Sequence, residues 1–432
     1  MSGEAGKAGK AGAPPPRRVD VGEPLPRGDR ALAELLKGWA LEAGFDRAGV
    51  ASLEAAAHGE AFVRWLERGD LAGMSYLERR LAARLEPETV LAGARSALCV
   101  ALQYWPLAGE AEAAGDLWPR VARYARGRDY HDVMGERLRG LAARIAAAFP
   151  GVETRPYVDT GPVLERELAA RAGLGVAGKN TNLLHRAGGS WFLLGELFLT
   201  LDLAPDAPVA DLCGRCTRCL DACPTGALPE AYRLDSRRCI SYWTIEHRGA
   251  LPPAAREMVG DWVFGCDVCQ EVCPWNHRPA AGNHPELGLP PERAALDLVA
   301  LLRLDRDGYV ERFRGSPMKR AKQEGLQRNA AVAMGNRGSR GNRGDTSYVP
   351  ALAEALAADP SPLVRGHAAW ALGRIGGAAA RQALAAALPG EGDPEARAEI
   401  QAALAAAPAA EPAPVPAVSG APVSGLPPRP PA

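Results

Sequence analysis

Eight of the nine cysteines in this chain fall between positions 213 and 273, and that crowding limits the possible folds more than any other feature. "CGRCTRCLDACPTGAL" (213–228) holds four of them in eleven positions, the last followed by Pro224. "GCDVCQEVCPWN" (265–276) adds Cys266, Cys269 and Cys273-Pro274, and Cys239 stands alone in "LDSRRCISYWTIE". The first residues, "MSGEAGKAGKAGAPPPRRVDVGEPLPRG", include the pair Arg17-Arg18 but lack the apolar stretch of a secretory signal. The longest apolar run, "WFLLGELFLTLDL", is interrupted by Glu196 and is too short to span a bilayer. A cytoplasmic chain with no membrane contact is expected, and there disulfides are rare, so the cluster points to metal. Cys99, in "SALCVALQYW", reads as a plain core residue.

Three metal readings compete. Cys213, Cys216, Cys266 and Cys269 form two pairs at zinc spacing, which leaves four cysteines idle. A single labile cluster also leaves ligands over. The run Cys213-x2-Cys216-x2-Cys219-x3-Cys223-Pro224 has the bacterial ferredoxin spacing, in which the fourth thiolate serves a second cube. Crossing the ligands as in two-cluster ferredoxins gives one [4Fe–4S] cluster Cys213, Cys216, Cys219 and Cys273. The other receives Cys223, Cys239, Cys266 and Cys269, and every cysteine of the segment is used. Such clusters carry electrons one at a time and do no organic chemistry, so another part of the chain must receive them.

With 432 residues, 47% of them apolar, the chain is long enough for two or three domains. Upstream of the cysteines, "RALAELLKGWALEAG" and "GERLRGLAARIAAAF" have helical periodicity, while "SALCVALQYW" and "TRPYVD" read as strands, which predicts an α/β domain. No Gly-x-Gly-x-x-Gly follows a strand and no Walker loop occurs, so nothing supports a nicotinamide, flavin or nucleotide cradle. Polar residues at turns are the remaining candidates. Asp159 precedes a Thr-Gly-Pro turn in "YVDTGPVLERE", where a carboxylate is either a turn former or a catalytic group. Gly173, Gly175 and Gly178 lead to Lys179 and Asn180, and their lack of side chains suits either a plain loop or close approach to a ligand. Asp129, Tyr130 and His131 stand together at a helix start or a pocket.

Beyond residue 300 "NAAVAMG" (329–335) recurs as "HAAWALG" (367–373), an offset of 38 within the range of helical repeats. Net charge is zero, yet from Arg312 to Arg343 nine basic residues face one acidic residue, Glu324. By itself such a run is a solvated face or a nucleic-acid contact. From residue 406 the chain is rich in proline and alanine and is expected to be disordered, like the leader 1–28.

Taken together, "GRDYH", "VDTGPVLERELAARAGLGVAGKNTNLL", the four-cysteine run with "CPTGAL", "LDSRRCISYWTIEHRG" and "FGCDVCQEVCPWN" resemble one family, the epoxyqueuosine reductases, over roughly residues 30 to 380. The resemblance implies a nitroreductase-like cobalamin-binding α/β domain at 29–205 and a ferredoxin-like domain with two [4Fe–4S] clusters at 206–290. HEAT-like repeats follow at 291–405. It implies that cob(II)alamin accepts the electrons of the clusters and that the epoxide of epoxyqueuosine, at the tRNA wobble position, is reduced to an alkene with loss of water. Asp159 is then the general acid, its carboxyl kept protonated by an apolar cofactor pocket. Arg84, Asp129, Tyr130, Asp159 itself, Lys179, Asn180, Ser241, Thr244, Cys266 and Asp267 are the implied cofactor neighbours, and Trp243 stands where the resemblance leads one to expect leucine. In that context the basic run favours RNA, with Arg312, Lys319, Arg320, Lys322 and Arg328 as candidates for the phosphates of an anticodon stem-loop and Arg337, Arg340 and Arg343 in a glycine-rich loop. A monomer served by an external ferredoxin or flavodoxin is expected. The alternatives are a reductive dehalogenase acting on a small molecule, which shares cobalamin and two clusters, and a plain ferredoxin-like carrier.

Overall fold

The structure, a computed structural model, describes residues 28–105, 120–290, 297–339 and 345–405. Residues 1–27 of the expected leader, the tail from 406, Arg340 and Arg343 lie outside them. The described residues of Met1–His247, Phe264–Leu296 and Asp307–Lys322 form one compact unit; those of Arg248–Val263, Asp297–Arg306 and Gln323–Ala432 form the other.

The first unit is built on helix α1 (Arg30–Glu42), strand β1 (Arg47–Ser52), strand β2 (Ser96–Gln103), helix α2 (Tyr130–Ala148), strand β3 (Thr154–Tyr157), helix α3 (Glu165–Arg171) and strand β4 (Phe192–Leu199). Each periodic stretch singled out in the sequence falls on one of these elements. Asp29 starts α1 by accepting the Leu32 N–H at 2.9 Å, satisfying one of the donors a helix start leaves open. The four strands pair in the order β1-β2-β4-β3, all antiparallel. Every residue of β2 is buried, as a strand covered on both faces must be.

Alternation along the strands sends side chains to two cores. Val50, Leu98, Val100 and Leu197 pack with Leu36 and Trp39 of α1 and with Leu138 and Leu141 of α2. Ala51, Cys99, Ala101, Leu194 and Phe198 pack with Leu168 and Ala169 of α3. Cys99 is fully buried there, an inert core thiol. The same alternation places Glu196, between Leu194 and Phe198, on the α3 face, where it stands opposite Cys99 on β2 and Tyr157 on β3. Gly49 lets α3 close on the sheet: a Cβ there lies 2.0 Å from the Ala172 carbonyl oxygen.

The second unit is helical: α4 (Lys322–Gly338, all but its first residue), α5 (Val349–Ala358), α6 (Pro362–Ile375), α7 (Gly377–Ala387) and α8 (Pro394–Ala405). The two copies of the seven-residue motif lie on α4 and α6 and supply buried alanines to the stack. Buried polar groups tie residues 248–263 to these helices. Arg256 meets Glu399 at 2.8 Å, Asn336 Nδ2 donates to the carbonyls of Arg256 and Gly260, and His367 Nε2 accepts the Leu251 N–H. Among the described residues no helix is long and apolar enough to cross a membrane.

Candidate active site

The eight clustered cysteines line two separate cavities. Cys213, Cys216, Cys219 and Cys273 line one small cavity, with Lys179, Leu184 and Trp275 around them. Cys223, Cys239, Cys266 and Cys269 share the wall of another, larger one. Two short helices, Arg218–Ala222 and Val268–Glu271, pack on each other and carry a thiol of each motif toward each quartet. Burial pushes the Cys266 thiol up to about 12, and next to it Cys239 and Cys223 oppose its ionisation. Burial and the same neighbours raise Cys269 as well. Thiols that resist ionisation when brought together need a cationic core to hold them as thiolates, which an iron–sulfur cube supplies. N–H groups are also in place around the sulfurs: Ala227 N–H points at Cys223 Sγ at 3.3 Å and Lys179 N–H at Cys213 Sγ at 3.5 Å.

The larger cavity, about 490 Å³, is walled by this second quartet, by Tyr104, Tyr124 and Tyr130, by the apolar run Phe192–Leu194 of β4, and by Asp159 and Glu165. Asp159 sits after β3 with φ +56, a left-handed conformation that aspartate tolerates better than most residues. Its side chain is half exposed to the cavity, and its Oδ2 lies 3.3 Å from His131 Nε2. His131 Nδ1 lies 2.8 Å from Asp129 Oδ1, and Lys319 Nζ holds the other Asp129 oxygen at 2.8 Å. A chain of alternating charge thus runs Lys319, Asp129, His131, Asp159.

That chain corrects the expected protonation of Asp159. Burial pushes its carboxyl up, but the hydrogen bond and charge of His131, the Tyr130 hydroxyl and Arg166 outweigh burial and hold it below the ordinary aspartate value. The proton resides on the partner instead. Burial opposes charge on His131, yet Asp129 and Asp159 together raise it to about 9, so the imidazolium is present at neutral pH. On the other side of Asp159, Glu165 Oε2 accepts the Asp159 N–H at 3.2 Å. Burial, and then the charge of Asp159, lift Glu165 to about 7.

Of the residues singled out in the sequence, Tyr130, Asp159, Asn180, Ser241, Cys266 and Asp267 line the larger cavity. Arg84, Asp129, Lys179 and Thr244 do not, and each is occupied elsewhere. Arg84 Nη1 reaches the carbonyls of Gly161 and Val163, beside the Asp159 loop; its buried Nε has no hydrogen-bond partner among the described residues. Asp129 is buried as the cap of α2. Lys179 Nζ donates to the carbonyls of Gly214 and Cys216 in the first cysteine loop. Thr244 Oγ1 donates to the Ile240 carbonyl and accepts the Gly265 N–H. In the glycine-rich bend, Gly175 makes room for backbone: a Cβ there lies 2.6 Å from the Leu184 carbonyl oxygen. The Trp243 indole packs on Tyr242 and His247 and donates to the Arg237 carbonyl, away from the cavity wall.

The basic run is not one surface. Lys319 and Arg320 are exposed and paired, with Asp129 and with Glu246. Arg320 also lies over the Tyr76 ring at 5.4 Å. Lys322 is exposed and Arg312 half-buried. Arg328 is 1% exposed, bonded to Asn329 Oδ1 and the Gly249 carbonyl, and cannot reach a phosphate from there. Arg337 pairs with Asp261. Sequence reading passed over Glu165, Gln270 and Ser190. Glu165 lay in plain view six residues after Asp159, but only the turn between them shows that the two carboxylates meet.

Three families match the chain: "Epoxyqueuosine reductase QueG, DUF1730" over residues 84–160, "4Fe-4S double cluster binding domain" over 212–276 and "HEAT repeats" over 318–405. The epoxyqueuosine reductase of Pseudomonas aeruginosa is 42% identical over 358 residues, covering 80% of this chain and 95% of that protein. The enzyme of Escherichia coli is 36% identical over 344 residues, covering 79% and 89%. Among solved structures, epoxyqueuosine reductase from Bacillus subtilis, with its catalytic aspartate loop swung out of the active site, superposes with a TM-score of 0.80 at 33% identity, covering 87% of this chain and 98% of that one. An epoxyqueuosine reductase crystallised with an epoxyqueuosine-modified tRNA-Tyr stem loop gives 0.78 at 34% identity, with the same coverage.

Proposed function

Since the chain belongs to the epoxyqueuosine reductase family, we propose that it reduces epoxyqueuosine to queuosine at the wobble position of tRNA, acting as a cytoplasmic monomer fed by an external ferredoxin or flavodoxin. The observation that carries the reading is the wall shared by the second cysteine quartet and Asp159: an electron source and a proton donor open into one cavity. The match to a double-cluster domain over 212–276 supports reading the two quartets as the ligand sets of two [4Fe–4S] clusters.

We read residues 29–205 as a nitroreductase-like cobalamin domain, 206–290 as the ferredoxin-like domain and 291–405 as the repeats. The larger cavity suits cobalamin, because the apolar floor of Phe192–Leu194 beside the amides Asn180, Asn182 and Gln270 fits a broad ring rimmed with carboxamides. Held there by those residues, cobalamin would supply a low-potential, nucleophilic metal centre. The protein's own part is proton handling and exclusion of water. As the epoxide C–O bond breaks, its oxygen becomes an alkoxide, and Asp159 delivers the proton that His131 holds beside it. Arg84 steadies the loop that carries Asp159. An RNA stem is held by its phosphates, for which Arg312, Lys319, Arg320 and Lys322 are the candidates, with the wobble base turned into the cavity.

The test is anaerobic turnover of an epoxyqueuosine-bearing stem loop, with and without cobalamin, read by nucleoside mass spectrometry. Loss of one oxygen mass that needs cobalamin is the expected result. Asp159→Asn is expected to lower the rate by about 100-fold or more, with RNA affinity kept. Intact clusters and bound cobalamin with no conversion would remove the RNA substrate.

A further inference from the structure

Reducing an epoxide to an alkene uses two electrons and two protons: both C–O bonds break, a C=C bond forms, and the oxygen leaves as water with two new O–H bonds. The His131–Asp159 pair holds one proton. A second acid that opens into the same cavity would supply the other proton.

Glu165 has the position for it. It opens α3, lines the cavity with Asp159, and its Oε2 is tied to the Asp159 backbone N–H at 3.2 Å. Its surroundings keep a proton on it. Behind it, on the face of β4 that meets α3, Glu196 is 0% exposed, and neither carboxylate oxygen has a hydrogen-bond partner among the described residues. Burial in that core, and then the charge of Asp159, make ionisation of Glu165 costly. The groups that face Glu165 are Asp159 after β3, Tyr130 and His131 from α2, Cys99 from β2, Glu196 from β4, and Arg166 on its own helix. Arg166 and His131 favour the charged form, but burial and Asp159 outweigh them.

Resting on the reaction proposed above, we infer that Glu165 is the second proton donor of this site. Asp159, recharged by His131, protonates the oxygen as the ring opens, and Glu165 gives the second proton with which that oxygen leaves as water. The two electrons come from a low-potential one-electron donor through the clusters.

Two readouts on the holoenzyme test it. In single turnover with the modified stem loop, the wild-type rate is expected to fall as pH rises through about 7, as Glu165 loses its proton. Glu165→Gln is expected to be slower by on the order of 100-fold and to lose that limb, with cluster spectra and stem-loop affinity unchanged. Glu165→Asp, which keeps an acid there, is expected to retain a limb. Independently of turnover, infrared difference spectra are expected to show a protonated-carboxyl band that fades through the same pH range in wild type and is missing in Glu165→Gln. A Gln variant with the wild-type profile, or a wild-type band that does not fade, overturns the role of Glu165 alone. A titrating band in an enzyme that converts no RNA overturns the reaction reading, and this inference with it.

Discussion

Asp159 was legible as a site residue from a carboxylate set before a Thr-Gly-Pro turn, but its charge state was not. The group that decides it, His131, stands 28 positions earlier and is itself fixed by Asp129 and Lys319. Sequence distance hid Glu196 in a different way. In the string "WFLLGELFLTLDL" it reads as a break in an apolar run, whereas the β4 pairing turns it into a buried acid between two strands. That burial has a consequence for stability. Burial, and then the charges of Glu165 and Asp159, raise the Glu196 carboxyl well above its ordinary value. The folded state therefore keeps a proton that the unfolded chain releases above pH of about 4.3. Stability from this group is fully present below that value and declines as pH rises toward the folded pKa. Glu196→Gln removes the proton and its pH dependence. Its apparent melting temperature, scanned from pH 5 to 8, is expected to gain on wild type steadily as pH rises. Parallel curves for the two proteins would show that Glu196 has another source of compensation.

At the scale of elements, the cysteine motifs were the most readable part of the chain because ligand spacing is a local property. The pairing of motifs was readable only by analogy with two-cluster ferredoxins, because in space it depends on the packing of the helices Arg218–Ala222 and Val268–Glu271 on each other. The glycine-rich bend was ambiguous for the same reason: whether Gly175 makes room for a ligand or for the Leu184 carbonyl is settled by a neighbour in space. Crossed ligation makes an asymmetric prediction. Cys239→Ser is expected to remove the cluster beside the larger cavity, halving iron and stopping turnover while the Cys213–Cys216–Cys219–Cys273 cluster keeps its spectrum. Cys273→Ser is expected to do the reverse, losing the outer cluster and slowing reduction by an external donor. Iron content and Mössbauer spectra of the two variants check it, and loss of both clusters in each would argue for one shared core.

For the whole molecule, a run of like charge was visible in the sequence, but its division between two units was not. Arg312, Lys319, Arg320 and Lys322 belong to the unit that holds the cavity, and Arg328 belongs to the helical unit. Periodicity alone did not reveal that α4 is buried along nearly its whole length, so that an arginine in it must be satisfied internally. Burial opposes the charge of Arg328 and lowers its pKa to about 10, and the Asn329 and Gly249 oxygens hold it in place. These two environments predict different phenotypes. Replacing Arg312 and Lys322 by alanine is expected to weaken stem-loop binding and to reduce the slope of log affinity against log salt by about 0.7 to 0.9 for each phosphate that is no longer neutralised, with melting nearly unchanged. Arg328→Ala is expected to leave that slope alone and to destabilise the helical unit by about 1–3 kcal/mol, because it leaves buried acceptors without a donor. Binding isotherms at several salt concentrations beside thermal melts separate the two effects. A shallower salt slope in Arg328→Ala, with melting unchanged, would mean that this arginine leaves its buried partners to meet RNA.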